Sequence, residues 1–279
     1  TALQLAYLNF ADPRFDEAEW SKGVDQIKTV LPALMEQSNY KLQKEMYDKM
    51  YDGDRTRMID ESTLAGADLK VFEKCMRRLF ADAAGATAVI VGDFNTDEVL
   101  PLIQKYLGSI AKGKKATSVI KRNDGYIAST LVDDFKAKMQ TPKVTCVKLY
   151  RYETPYTGAN DVAGEALSYI LNMAYVETLR EAEGGTYGAS TATEGVANEG
   201  CYVLQVAFDT NVDQADKLRE IAQKTLVDMA TNGPTADQFD KAVKNLEKNI
   251  PESKLHNNYW KNEIFKHVMY GIDHMAEYE

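Results

Sequence analysis

Cysteine is scarce in this chain. Cys75, Cys146 and Cys201 are its three cysteines, they lie far apart, and none belongs to a C-x-x-C pair. Such a count excludes a disulfide framework and a thiolate zinc ribbon, and leaves small buried hydrophobes as the expected role. Histidine is as rare: His256, His267 and His274 form neither H-E-x-x-H nor H-x-x-E-H. The helical spacing that sets two imidazoles and a base around zinc is therefore missing. His267 and His274 could share a helix face, but no carboxylate completes a ligand set, so they read as surface residues. Long apolar runs are lacking as well, and nothing approaches the roughly 20 residues of a bilayer span. The opening stretch, TALQLAYLNFADPRF, has no basic n-region or apolar h-region, and no N-x-[ST] acceptor occurs. Positive charge is in deficit, with 33 Lys and Arg against 42 Asp and Glu and a net charge of −9. That balance argues against nucleic acid and against an anionic membrane surface as partners. G-x-S-x-G, the Walker A loop and G-x-G-x-x-G are all absent, and Gly92 reads as a strand-end glycine. By its own residues the chain carries no catalytic machinery.

What it does have is core-forming material. Hydrophobic residues make up 44% of 279, enough to bury a core, and the length fits about two domains. From Phe15 to about Tyr51 apolar residues recur three or four apart, which predicts helix, with a break near Leu31 enforced by Pro32. Asp52-Gly53-Asp54 reads as a turn, and a second helix is expected from Ala67 to about Phe80. Ala86 to Gly92, centred on Val89-Ile90-Val91, predicts a strand, followed by a helix from an N-cap at Thr96 to Tyr106. A lone strand cannot make a sheet, so this one needs partners from elsewhere. From Ala111 to about Gln140 the chain is basic and irregular, and reads as a linker with a turn at Asn123-Asp124-Gly125 and an entry strand over Tyr126 to Val132. A phosphate-binding patch is the alternative there, disfavoured by the net charge.

Past residue 140 the order changes. Lys143 to Tyr150 is strand-like, and Val162 to Arg180 is an amphipathic helix ended by Glu183-Gly184-Gly185. Strands follow over Tyr187 to Glu194 and Cys201 to Asp209. Helices are predicted from Val212 to Thr231, from Thr235 to Ile250 with a Thr235–Gln238 capping box, and from Glu252 to about Gly271, with Pro251 separating the last two. The fold class is therefore α+β, with helices packed on one face of a mainly antiparallel sheet. Residues 1–111 read as the helical part and closing strand–helix of one unit, its opening strands missing. Residues 112–140 read as linker and entry strand, and 141–279 as a second unit truncated at its C-terminal end. The two halves are out of phase, as expected of a piece cut from a longer protein.

Glu177-Thr-Leu-Arg180-Glu-Ala-Glu-Gly-Gly-Thr-Tyr187-Gly188 is the segment with chemical promise. Arg180 falls in the last turn of a helix, the glycines reverse the chain, and Tyr187 opens the next strand. A guanidinium and a phenol so placed can hold a backbone carbonyl or a developing oxyanion. The bland alternative is a helix cap with an Arg–Glu surface pair and an ordinary strand tyrosine. Glu177 and Glu181, one turn apart, read as a solvated helix face.

Leu179-Arg-Glu-Ala-Glu-Gly-Gly-Thr-Tyr-Gly188 resembles a C-terminal-half signature of the pitrilysin/insulinase family of zinc metallopeptidases, the inverzincins. Ala88 to Asn95 through Leu107-Gly-Ser109 resembles the strand–helix that closes each family unit. Met139 to Lys143, Gly233 to Thr235, and Asn257 to Trp260 through Tyr270 to Asp273 resemble a bacterial, Bacteroidetes-like branch. The likeness covers nearly the whole chain with the motifs in order. It implies four related α+β units, paired into two halves that close around a peptide, with zinc and its H-x-x-E-H base in the N-terminal half. It further implies that Arg180 and Tyr187 contact the substrate, while this segment binds no metal and is inactive alone. The expected partners are a peptide substrate and an N-terminal zinc-bearing half, in the same chain or in a partner subunit. The function so implied is the substrate-binding, non-zinc half of a zinc-dependent peptidase; the alternative is an inactive partner or scaffold subunit of a two-chain complex. A bacterial cytoplasm or periplasm fits either.

Overall fold

In a computed structural model of the chain, residues 1–51, 58–113, 125–181, 183–186, 188–273 and 276 are described. The chain divides into two compact units, Thr1–Ala88 with Gly92–Met139, and Val89–Val91 with Gln140–Glu279.

The first unit is helical: α1 (Ala2–Ala11), α2 (Glu17–Met35), α3 (Ser38–Met50), α4 (Glu61–Ala65), α5 (Leu69–Leu79) and α6 (Thr96–Tyr106). Side-chain caps explain where several begin. Asp16 accepts hydrogen bonds from the N–H groups of Ala18 and Glu19, and Asp68 accepts from those of Lys70 and Val71. Asp60 forms a capping box with Thr63, and the hydrogen bonds from the Thr63 and Ser62 side chains and the Thr63 N–H hold its carboxyl well below the usual range. The cap of α6 is Asn95, which accepts from the Asp97 N–H at 2.9 Å, rather than the expected Thr96. α1 and α4 were not foreseen.

Two strands expected in this stretch of sequence are not strands. Residues 87–91 are without regular structure, and Tyr126 makes only an isolated bridge to Tyr51. A strand exists through its ladder, and neither run has a ladder partner among the described residues. The expected turns at Asp52-Gly53-Asp54 and Asn123-Asp124-Gly125 fall wholly or mainly outside the described residues.

The second unit has the sheet. β1 (Val144–Glu153), β2 (Ala189–Val196) and β3 (Cys201–Thr210) form a three-stranded antiparallel sheet in the order β1-β3-β2. Its helices are α7 (Gly158–Tyr175), continued by a π-helical turn at Val176–Glu181, then α8 (Ala215–Asn232), α9 (Ala236–Ser253) and α10 (Asn257–Tyr270). Alternation along β3 puts Leu204, Val206 and Phe208 on one face, with Cys146 paired to Phe208 across the ladder. These side chains form one core with Leu171, Tyr175 and Leu179 above them and Leu218 and Ala222 from α8. Three hydrogen bonds stitch α7 to β2. The Ser168 hydroxyl donates to Thr193 Oγ1 at 2.9 Å, the Thr191 hydroxyl to the Ser168 carbonyl at 2.6 Å, and the Thr191 N–H to Asn172 Oδ1 at 2.9 Å.

Prolines stop helices less abruptly than expected. α2 continues past Pro32 to Met35, so the break falls at Glu36–Gln37 instead of near Leu31, and α9 runs through Pro251 to Ser253. Pro101 sits within α6. A proline cancels the bond to the carbonyl four residues back. Here those residues, Lys28, Asp97 and Glu247, are all exposed, where water can replace the lost donor.

Candidate functional site

The segment with chemical promise lies where α7 gives way to β2. Thr157 caps the start of α7 by accepting from the Asn160 N–H at 3.2 Å. The far end does not close as a regular helix, but widens into the π turn at Val176–Glu181. Two features of the sequence favour this. Thr178 turns its hydroxyl back onto the Ala174 carbonyl at 2.8 Å, a bond that bends helices. Tyr175 and Leu179, one turn apart, are both completely buried and fix the inner face. The Tyr175 hydroxyl donates to the Ala222 carbonyl at 3.2 Å, and burial raises its pKa. The Thr225 hydroxyl reaches Thr178 at 3.1 Å, tying the π turn to α8. Wide turns of this kind occur often at functional sites.

Arg180 stands on this anchored turn with its side chain exposed, and among the described residues it makes no ion pair. The surface pair with a neighbouring glutamate, the bland reading of the sequence, is not formed there. Glu177 and Glu181 are exposed beside it. The Arg180 carbonyl accepts from the Gly184 N–H at 2.9 Å, and Gly184 has φ +60°, a conformation that side chains disfavour. Gly185 is buried against α8. A Cβ there would stand 2.7 Å from Leu218 Cδ1, so any other residue would have to displace Leu218. The Gly185 carbonyl accepts from the Thr210 hydroxyl at 2.8 Å, and Lys217 pairs with Glu183. The Thr186 hydroxyl donates to the Gly188 carbonyl at 2.9 Å and accepts from the Gly188 N–H at 3.2 Å. The backbone on both sides of position 187 is thus fixed. Tyr187 itself lies outside the described residues, and β2 begins two residues beyond it, at Ala189.

The segment therefore presents one guanidinium that makes no ion pair among the described residues, a group suited to hydrogen-bonding a carbonyl or carboxylate. It offers no nucleophile or general base. His256, just before α10, and His267 on it are exposed, His274 lies outside the described residues, and no group of three or more His, Cys, Asp or Glu among the described residues could hold a metal. These donors do not make a zinc site.

A second concavity lies elsewhere in the same unit, and Arg180 does not line it. It is an open cleft of about 680 Å³ beside α7, α9 and α10, with Glu165, Asn172, Asn245, Tyr259 and Glu263 on its walls. Sequence reasoning missed these residues. Pairs of polar side chains four apart on one helix, Asn245 with Asn249 and Tyr259 with Glu263, were the available signal.

A model described as the peptidase M16 inactive domain matches residues 67–246. The probable zinc protease PqqL of Escherichia coli K12 is 26% identical over 215 residues, which are 75% of this chain and 23% of that protein. The crystal structure of the periplasmic protease PqqL from Escherichia coli superimposes with a TM-score of 0.82 at 20% identity, over 99% of this chain and 30% of that one. The ferredoxin protease FusC, solved in complex with Arabidopsis ferredoxin, does so with a TM-score of 0.72 at 13% identity, over 100% of this chain and 30% of that one. The chain thus spans about a quarter to a third of the length of these relatives, and the two structures are likenesses of fold.

Proposed function

This chain belongs to the peptidase M16 family, matching its inactive domain, and we propose that it supplies the substrate-binding, non-zinc half of a zinc-dependent peptidase. The observation that carries the reading is Arg180: an exposed guanidinium without an ion pair among the described residues, on a π turn anchored by the buried Leu179. An exposed cation held by a rigid support loses little freedom when it binds, which suits it to orienting a substrate. In this reading Arg180 donates to a carbonyl of the bound peptide. Tyr187, which lies outside the described residues, is the second group this reading assigns to the substrate. Together they position the peptide and favour the negative charge that develops on the attacked carbonyl oxygen. Zinc and its general base belong to residues outside this chain. Two similar proteins support this reading of substrate class and compartment, one being described as a ferredoxin protease and the other as periplasmic. We accordingly place this protein's substrate among polypeptides and its site of action in the periplasm.

The test is hydrolysis of a quenched fluorescent peptide by the full-length protein, with and without a zinc chelator. Chelator-sensitive cleavage is expected. Arg180→Ala and Tyr187→Phe should each lower kcat/KM by about 10²–10³ with the zinc content unchanged. Lost zinc would make the altered residue structural. No cleavage by the zinc-replete protein would replace this reading with the inactive partner or scaffold subunit.

A further inference from the structure

Thr225, on α8, is 8% exposed, and its hydroxyl meets the Thr178 hydroxyl of the π turn at 3.1 Å. The Thr178 hydroxyl in turn donates to the Ala174 carbonyl at 2.8 Å. Each hydroxyl has a single proton to give. Thr178 gives its own to Ala174 and must therefore accept from Thr225, so the chain of bonds runs one way, from α8 into the end of α7. A helical threonine has two χ1 wells open to it, because its hydroxyl can bond back to the preceding turn or face away. Donation from Thr225 favours the well that bonds back. That back-bond competes with the backbone ladder and bends a helix. It spans the place where the π turn begins, at Val176, and Arg180 follows Thr178 by two residues. The buried Leu179 also holds this turn to the core. Apolar burial has no preferred direction, however, whereas a hydrogen bond does.

We propose that Thr225 is a positioning residue for Arg180, holding Thr178 in the rotamer whose bond to Ala174 keeps the turn wide and the guanidinium placed for substrate. Thr225 is itself buried and acts only through Thr178. The inference rests on the reading of Arg180 as a substrate contact.

The experiment is a double-mutant cycle on peptide hydrolysis by the full-length protein, read together with amide hydrogen exchange over Val176–Glu181. Thr225→Val keeps the shape and removes the hydroxyl. It should lower kcat/KM about three- to tenfold, the scale of one lost hydrogen bond, and speed exchange in the turn. Thr225→Ser, which keeps the hydroxyl and drops the methyl group, should restore both. In an Arg180→Ala background, Thr225→Val should have no further effect on kcat/KM. Thr178→Val breaks the same chain at its middle and should match Thr225→Val in each measurement. Losses that multiply in full overturn the proposal, because a residue that only props the fold acts whether or not Arg180 is present. So does a Thr225→Ser variant that fails as Thr225→Val does, or exchange in the turn that neither valine variant changes. Parental kcat/KM in Thr225→Val beside a loss in Arg180→Ala overturns this inference alone. Parental kcat/KM in Arg180→Ala overturns the reading beneath it, and the inference with it.

Discussion

In the second unit, α7 and α8 lie on a three-stranded sheet, and Leu171, Leu179 and Leu218 are at most 1% exposed. In the first unit six helices form without a sheet among the described residues, and Val71 and Leu79 of α5 remain 60% and 70% exposed. The helices themselves are equally well made in both, with side-chain caps at Asp16, Asp60 and Asp68 in one and at Thr157 and Thr235 in the other. Capping and periodicity are local, and they act whether or not a second layer is present. Burial is not local, because an amphipathic face is covered only when another element lies on it. Amphipathic pattern thus forecasts the helix, and only a partner layer forecasts the core.

The contrast can be broken or sharpened by substitutions read unit by unit, because the two tryptophans report separately: Trp20 lies in the first unit and Trp260 in the second. Fluorescence melts of Trp20→Phe and Trp260→Phe backgrounds follow one unit each. The largest effect is expected from Leu218→Ala, which empties space in the second core and should cost about 2–5 kcal/mol in the Trp260 transition. A cost below about 1 kcal/mol would mean that the core is loosely packed and the contrast overstated. Gly185→Ala comes next, at about 1–3 kcal/mol, because its Cβ would press on Leu218. Caps should cost the same in both units: Asn95→Ala and Thr235→Ala are each expected to lose about 1 kcal/mol. Unequal losses would show that helix starts in one unit lean on tertiary packing. Leu79→Ser should be smallest, within about 0.5 kcal/mol. A large loss for Leu79→Ser in the full-length protein, absent from this chain alone, would show that another layer covers α5 there.

Acid adds one further probe of the sheet. Desolvation raises the Asp209 pKa, but hydrogen bonds from Lys143 and Thr145 outweigh it, and the carboxyl titrates below its ordinary value. A carboxylate with a depressed folded pKa contributes stability above its unfolded pKa, near 3.9, and loses it as pH falls through the folded value. Asp209→Asn should therefore lower the neutral Tm of the Trp260 transition, converge with the parent in strong acid and flatten the limb below about pH 4.

Much of this was legible in the sequence. β1, β2 and β3 follow from alternation and β-branched residues, and the Thr235–Gln238 box appears as read. Boundaries moved where a signal had two meanings. Pro32 and Pro251 were read as stops, yet each lies in a last turn whose orphaned carbonyl is at the surface. Val89-Ile90-Val91 has strand composition, but pairing is decided by a neighbour that composition cannot reveal. At the candidate site the helix end near Arg180 was legible from the double glycine that follows it. The π turn beneath it was not, because it arises from the Thr178 back-bond together with the burial of Tyr175 and Leu179 under α8. The cleft escaped notice because its walls come from helices distant in sequence.

That π turn amounts to one residue spliced into an α-helical rotation. An α-helix advances about 100° per residue, so everything after the splice is turned by that angle relative to the stripe of α7 that faces the sheet. Leu171, Tyr175 and Leu179 stay buried, while Arg180, the next residue, is exposed. Removing a single residue from Val176–Glu181 would restore a uniform rotation and carry Arg180 to another side of the axis. In that sense the turn works as a crank between the core and the exposed side chain at its end.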